Sequence, residues 1–317
     1  MSIAKERNSS IESPVCLFCG SGKVRHAESL SVPTVVERWR ETYDLDVTCR
    51  FEGLSTLNLW TCASCALQFF APAPLLAPDD YAALEGRPGF YAETKWDFDV
   101  AIPFLPERAH VLEVGCGPGH FLANVTATKS LQAEGLETNP NAAADARNKG
   151  LRVESVPLET WAADKALHSS YDAICAFQVL EHLPNPHDFF ASALALLDTG
   201  GRLLITVPNG AGFIRYSRYN LLNMPPYHCT RWTARVFERV ETMFPVQIIA
   251  MQHEPLARHH LRWYVNAHLE RLPETPFLYA AACVGGRRIV RPLLGCYPWL
   301  RRRLTGHSLF VCMEKGN

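Results

Sequence analysis

The sequence predicts an α/β chain, a mainly parallel sheet wound with helices, behind a small metal-binding subdomain at the amino terminus. Three observations carry that reading. The run Val111 to Phe121 is apolar and ends in the glycine turn Gly115-Cys116-Gly117-Pro118-Gly119, the device by which an α/β protein brings bare backbone against a nucleotide-like ligand. Strand-like apolar segments then recur as far as Asn209. Two Cys-x-x-Cys pairs precede all of this.

Those pairs, Cys16-Leu17-Phe18-Cys19 and Cys62-Ala63-Ser64-Cys65, are knuckles that each aim two thiolates at one ion. Together they make a tetrahedral sulfur site that suits Zn2+ and leaves no open position, so its role is structural. The intervening residues 20–61 are numerous enough for a subdomain of their own, and Cys49 within them is a substitute ligand without a knuckle partner. Cys116, Cys175, Cys229, Cys283, Cys296 and Cys312 lie in apolar settings and read as small core residues. Pro72 and Pro74 mark an extended connection, which divides the chain into 1–74 and 75–317.

Tyr81 to Phe104 reads as helical, with Tyr91, Trp96, Phe98 and Val100 as anchors before the first strand. A second strand ends at Glu137. Leu151 to Glu159 holds a third strand and its loop, and Tyr171 to Phe177 is the fourth. After Gln178-Val179-Leu180-Glu181-His182-Leu183, an apolar helix runs to Asp198-Thr199-Gly200-Gly201, and Arg202 to Asn209 is the fifth strand. Phe244 to Ala250 and His307 to Met313 supply the sixth and seventh. The span between those two, 253–305, far exceeds an ordinary connection and is an insertion.

A dinucleotide fingerprint requires glycine where this chain has His120. The pattern Glu113-x-Gly115-Cys116-Gly117-x-Gly119 instead resembles motif I of the class I methyltransferases that bind S-adenosylmethionine (SAM), and the Leu180-Glu181-His182 phrase followed by Gly200-Gly201 resembles a second motif of that family. The resemblance implies a Rossmann-like, seven-stranded, mainly parallel sheet. It implies that the turn Gly115, Cys116, Gly117 and Gly119 holds the methionine moiety and that Glu113 faces its ammonium. It assigns Glu137 to the ribose hydroxyls, and Leu158, with Val156 and Glu159, to the adenine. Gln178 is expected to face the cofactor or the transfer site, and Tyr91 to approach SAM or simply to pack on the sheet.

On the acceptor side, His182 reads either as a base or as a residue packing the next helix. The segment Asn223 to Thr233 contains Pro225-Pro226-Tyr227-His228. Met224 before the prolines and the place after the fifth strand exclude the Asp/Asn-Pro-Pro-Tyr motif of amino-group methyltransferases. The segment resembles the Pro-Pro-x-His stretch of sugar and small-molecule methyltransferases, among them zinc-bearing enzymes acting on nucleotide-linked deoxysugars. His228 and Tyr227 are therefore candidate acceptor-side groups, imidazole being suited to proton abstraction near neutrality, and the alternative for His228 is a helix-start role.

Lys plus Arg number 31 and Asp plus Glu 32, a balance that argues against a nucleic-acid binder held by overall charge. The expected acceptor is a small molecule or glycan-related compound, including a nucleotide sugar. Rivals are RNA methylation, since some ribosomal RNA methyltransferases carry an amino-terminal zinc site, and a non-catalytic SAM-binding scaffold. Met1 to Ser13 is polar and no apolar run is long enough to span a bilayer, so a cytoplasmic protein is expected. The insertion carries Arg287, Arg288, Arg291, Arg301, Arg302 and Arg303 among apolar residues. That mixture suits phosphate-bearing substrate or peripheral contact with the inner face of a membrane, or a surface helix pair packed on the sheet.

Overall fold

A computed structural model describes residues 13–87, 90–129, 131–272 and 282–316. The first strand, β1 (Val24–Ser31), runs directly into helix α1 (Val32–Tyr43). Ser31 caps that helix by accepting a hydrogen bond from the Thr34 N–H, and Pro33 occupies its first turn. The helix buries Val32, Val35, Val36 and Trp39 on one stripe. Strands β2 (Thr56–Cys62) and β3 (Gln68–Phe70) complete an antiparallel meander with β1. These elements pack around α1, with the two knuckles beside them.

The helix expected across Tyr81 to Phe104 is instead two. They are α2 (Pro78–Glu85) and α3 (Trp96–Ala101), followed by a 3-10 turn. Gly86 caps the first, and Lys95 is extended where the second begins. A helix loses its continuity where glycine ends it, whatever the apolar spacing beyond.

The second sheet has the order β10-β11-β8-β7-β4-β5-β6. Its parallel members are β4 (His110–Val114), β5 (Gln132–Leu136), β6 (Arg152–Glu154), β7 (Tyr171–Phe177) and β8 (Leu197–Pro208). Crossover helices α4 (His120–Lys129), α5 (Pro140–Asn148), α6 (Leu158–Trp161) and α7 (Pro186–Leu196) link them. β4 and β7 are nearly continuous apolar runs because helices cover both faces of the sheet. After β8 the chain forms the short strand β9 (Thr230–Arg231), helix α8 (Ala234–Met243) and strand β10 (Val246–Pro255), which is the edge of this sheet. The last strand, β11 (Thr305–Lys315), is antiparallel and inserts between β8 and β10. Seven strands, six of them sharing one direction, match the expected fold class. The chain leaves β4 toward β5 on one side and β7 on the other, so a crevice opens at its carboxyl end.

The amino-terminal unit is built into the second one. β9 adds to β3 as a fourth strand. Phe18, between the first two cysteines, packs its ring against Phe190, Trp232 and Phe244 at centroid distances of 5.6, 5.5 and 6.3 Å. Leu221 and Met224 join α1 in a common apolar cluster.

In the insertion, α9 (Leu261–Leu269) is followed after the undescribed residues by a π-helical turn (Gly286–Val290), α10 (Arg291–Cys296) and α11 (Pro298–Arg301). Leu294 is buried with Phe213, Leu256 and Leu261, whereas Ile289, Leu293, Tyr297 and Trp299 are exposed. Two cysteine readings need correction here. Cys296 is exposed and Cys283 only half-buried, neither belonging to that apolar cluster, while Cys116, Cys175, Cys229 and Cys312 are core residues as expected. Cys49 is exposed on a 3-10 turn, outside the cluster of cysteines described below. Among the described residues no helix is long and apolar enough to cross a membrane.

Candidate cofactor and acceptor site

The backbone turns sharply where β4 ends. Gly115 and Gly117 both have left-handed φ, at 70° and 52°. A Cβ on Gly115 would sit 2.8 Å from Val179 Cγ2, and one on Gly117 would sit 3.0 Å from the Tyr91 ring. The turn therefore admits neither side chains nor ordinary backbone angles. The N–H groups of Gly115 and Cys116 are anchored by the Leu136 carbonyl at 2.8 and 3.1 Å. Cys116 turns its thiol inward against Gly135, so its contribution to any ligand is backbone.

Glu137 stands one residue past β5 with its carboxylate over this turn. Its Oε2 accepts from the Gly117 N–H at 2.8 Å and its Oε1 from the Asn139 N–H at 2.7 Å. Burial raises its pKa, and the two backbone donors oppose that rise. Each carboxylate oxygen has a second lone pair, so the pair is held in place yet still able to accept from a diol. Asn139 also donates to the Tyr91 hydroxyl at 3.4 Å, which sets the Tyr91 ring above Gly117. Leu158 opens α6 and is buried in the cluster that contains Leu136.

Glu113 is 2% exposed, and its Oε2 has no hydrogen-bond partner. Burial pushes its pKa well up, with the nearby Lys95 pulling the other way. A buried carboxylate oxygen with no partner is costly in isolation and suits a ligand that brings a cation. The donor set thus fits SAM on three counts: a glycine cradle a Cβ would fill, a fixed carboxylate for the ribose, and an unpartnered carboxylate for the ammonium.

Gln178, just past β7, adopts a left-handed φ of 59°. Its amide donates to Asp97 at 3.0 Å and lies 3.3 Å from both Thr206 and Ser308. The side chain therefore ties α3, β7, β8 and β11 together at the crevice. A non-glycine residue in that region is strained and persists where its surroundings over-determine it.

Beyond Gln178, three groups converge. Glu181, His182 and His228 place ligand atoms within 4.8 Å of one another, a set that by type suits a divalent cation as well as proton transfer. Glu181 is 1% exposed with both carboxylate oxygens unpartnered, and His228 Nε2 lies 3.9 Å from Oε1. Burial pushes Glu181 up to about 8. Burial also lowers His228 well below the ordinary imidazole range, helped by His182 and His307, and takes His182 down to about 4. His182 Nδ1 is 2.8 Å from the Tyr227 carbonyl, which can only accept, so that nitrogen carries the proton and Nε2 keeps its lone pair. The Tyr227 ring stacks on His228 at 4.7 Å. Burial raises its phenol pKa, making it a donor rather than a base near neutrality.

Sequence reasoning did not single out Asp97, Glu181 as a site group, or the cluster of Glu254, His260 and His307 on the same side. Glu254 accepts from the His307 and Ser308 N–H groups at 3.0 Å each, and burial lowers His260 to about 3 and His307 to about 4. Only Glu181 had a signal, its place in the Leu-Glu-His phrase.

At the other end of the chain, Cys16, Cys19, Cys62 and Cys65 form a four-thiol cluster. The Sγ atoms of Cys16 and Cys65 are 3.5 Å apart and those of Cys19 and Cys62 3.6 Å. A tetrahedron of roughly 2.3 Å metal–sulfur bonds separates its sulfurs by about 3.8 Å, so the spacing fits one zinc ion. Gly20 and Ala66, each just after the second cysteine of a knuckle, share a left-handed φ of 67° and 66°.

Residues 92–268 match a family described as methyltransferase domain. Over 112 residues the chain is 34% identical to a ubiquinone biosynthesis O-methyltransferase of Xanthomonas axonopodis pv. citri, covering 33% of this chain and 45% of that protein. Over 105 residues it is 30% identical to the protein of the same description from Bordetella avium, covering 31% and 42%. The chain thus spans less than half the length of these curated relatives. Among solved structures it is similar to the methyltransferase partner in a complex with the Haloferax volcanii activator Trm112, with 16% identity, a TM-score of 0.53, and coverage of 76% of this chain and 98% of that one, a likeness of fold. With more than half of its length matched and the sheet order and glycine turn in place, the chain belongs to the methyltransferase-domain family, with the class I SAM-dependent fold.

Proposed function

We propose that the chain is a SAM-dependent methyltransferase acting on a hydroxyl of a small-molecule or glycan-related acceptor. The observation that carries this reading is the juxtaposition, at the carboxyl ends of the neighbouring strands β4 and β7, of the Gly115–Gly119 cradle with Glu113 and Glu137, and of the buried Glu181, His182 and His228 just beyond Gln178. The choice of oxygen follows the O-methyltransferase description of the relatives. SAM supplies an electrophilic methyl on a sulfonium, so the protein's task is to orient an acceptor in line and exclude water. Glu137 holds the ribose, Glu113 the ammonium, and the strained Gln178 fixes the wall between donor and acceptor. His228 accepts the acceptor's proton as the oxygen–methyl bond forms, and Tyr227 donates to the acceptor or packs on it. His182, oriented by the Tyr227 carbonyl, positions His228 by an edge-to-face contact at 4.5 Å. Along the chain we infer the same division of labour, 1–74 as a zinc-held wall and 75–317 as the transfer domain.

A screen with labelled SAM against nucleotide sugars, lipid-linked glycans and RNA identifies the acceptor class, and label on RNA alone refutes this reading. On the acceptor so found, His228→Ala is expected to lower kcat by roughly 10²–10⁴-fold, the range of general-base catalysis, with SAM affinity unchanged. Full activity of that variant removes His228 from the chemistry.

The pH profile has a definite sign. The active form of the base is the neutral imidazole, and burial moves both His182 and His228 toward acid. The acid limb of kcat/KM is therefore expected below about pH 6.5, the ordinary imidazole value, with a plateau through neutrality. A limb at or above that value contradicts a buried histidine base.

A further inference from the structure

Helix α9 contributes Arg262 and Asn266 to two cavities. One, of about 200 Å3, is lined by Arg262, Asn266, Arg287 and Arg291 with Val265. No carboxylate lines it, and among the described residues none of the three guanidiniums has an ion-pair or hydrogen-bond partner. Three unpaired guanidiniums in one small cavity repel one another and are matched by an anion with several oxygens, phosphate above all. A second cavity of about 260 Å3 adjoins it and shares Asn266 as a wall. This one is of different character, with Tyr43 and Trp263 as aromatic faces and Arg38, Asn220 and Glu270 as polar groups. Asn220 Nδ2 is buried without a hydrogen-bond partner, a donor left for a ligand.

The wall of the second cavity reaches toward the acceptor groups through Trp263. The Trp263 ring lies 5.3 Å from the His307 ring, and His307 is close enough to His228 to help keep it neutral. Tyr43 and Tyr227 both pack against the apolar cluster that contains Trp39, Leu221 and Met224. Aromatic faces cover the C–H face of a sugar ring while amide, carboxylate and guanidinium reach its hydroxyls, and the combined volume falls in the range of small-molecule sites, roughly 300–1,000 Å3.

We propose that this groove receives a phosphate-bearing sugar, its phosphate on Arg262, Arg287 and Arg291 and its sugar against Trp263 and Tyr43. The assignment names the acceptor class for the methyl-transfer reading and rests on that reading only for what happens next; binding itself requires neither SAM nor turnover. The phosphate belongs either to a nucleoside diphosphate or to a lipid carrier, and the exposed Ile289, Tyr297 and Trp299 beside the arginines suit the second source.

The test is calorimetry on the full chain without SAM, titrating glucose, glucose 1-phosphate, UDP-glucose, and glucosyl farnesyl phosphate in detergent micelles. The phosphorylated probes are expected to bind and free glucose not. Arg287→Ala combined with Arg291→Ala is expected to weaken the phosphorylated probes roughly tenfold or more. Trp263→Ala is expected to weaken glucose 1-phosphate but not inorganic phosphate. Arg302→Ala with Arg303→Ala, on exposed residues outside the cavity, is expected to change nothing, and unaltered thermal unfolding shows that the variants are folded. Tighter binding of UDP-glucose or of the farnesyl compound assigns the source, and either supports the groove. No binding of any phosphorylated probe, glucose binding as well as its phosphate, or equal loss in both arginine variants overturns it. SAM titrated separately keeps the two readings apart: sugar phosphates binding to a chain that ignores SAM leaves the groove standing and fells the methyl-transfer reading alone.

Discussion

Glu137→Ala is expected to weaken SAM binding roughly a hundredfold, measured by calorimetry on the folded variant. The magnitude follows from two lost hydrogen bonds between a charged acceptor and the ribose diol. The carboxylate also braces the turn through the Gly117 and Asn139 N–H groups, so the variant loosens the cradle as well as removing the acceptor. Gly117→Arg reaches the same end by a different route: a side chain there must share space with Tyr91 at a φ that disfavours any Cβ. Unchanged affinity in both variants removes the cofactor assignment from this turn.

Cys16→Ser combined with Cys65→Ser is expected to abolish metal binding and to unfold the amino-terminal sheet. Metal analysis of the wild-type chain is expected to find one zinc per molecule. Structural zinc sites in isolated fingers are worth on the order of 10 kcal/mol or more, so little of the small sheet survives without the ion. The damage is expected to spread. Phe18 is seated among Phe190, Trp232 and Phe244, β9 pairs with β3, and α1 packs on the segment that carries Tyr227. Loss of the ion should therefore lower acceptor binding and thermal stability more than SAM affinity, because the glycine turn and Glu137 are held by backbone bonds to Leu136, Gly117 and Asn139 rather than by the amino-terminal sheet. A metal-free wild type that is fully folded contradicts the zinc site.

What the sequence made legible follows from where the driving force is local. β4 and β7 are largely apolar runs flanked by turn residues, so they are legible from the local sequence. The four knuckle cysteines come together as their two short spacings predict. The crevice at Gly115 to Gly119 is a local backbone demand. By contrast, the break between α2 and α3 was obscured by the apolar and aromatic residues that continue across it. Strand β9 has two residues and exists because β3 offers an edge, a pairing no local pattern announces. Likewise Asp97, Glu254 and His307 are scattered in sequence and meet only because β11 inserts antiparallel beside β8, bringing its first residues to the carboxyl ends of the parallel strands. Glu181 was visible as a letter of a motif; that it is buried with no partner is a property of the packed site.

The most direct test is a crystal structure of the chain with S-adenosylhomocysteine. The expected result places both ribose hydroxyls on the Glu137 carboxylate, the ammonium at Glu113, and the sulfur facing the wall formed by Gln178 and the His182–His228 pair. A ligand bound elsewhere, or no ligand at saturating concentration in crystals with this crevice open to solvent, contradicts the account.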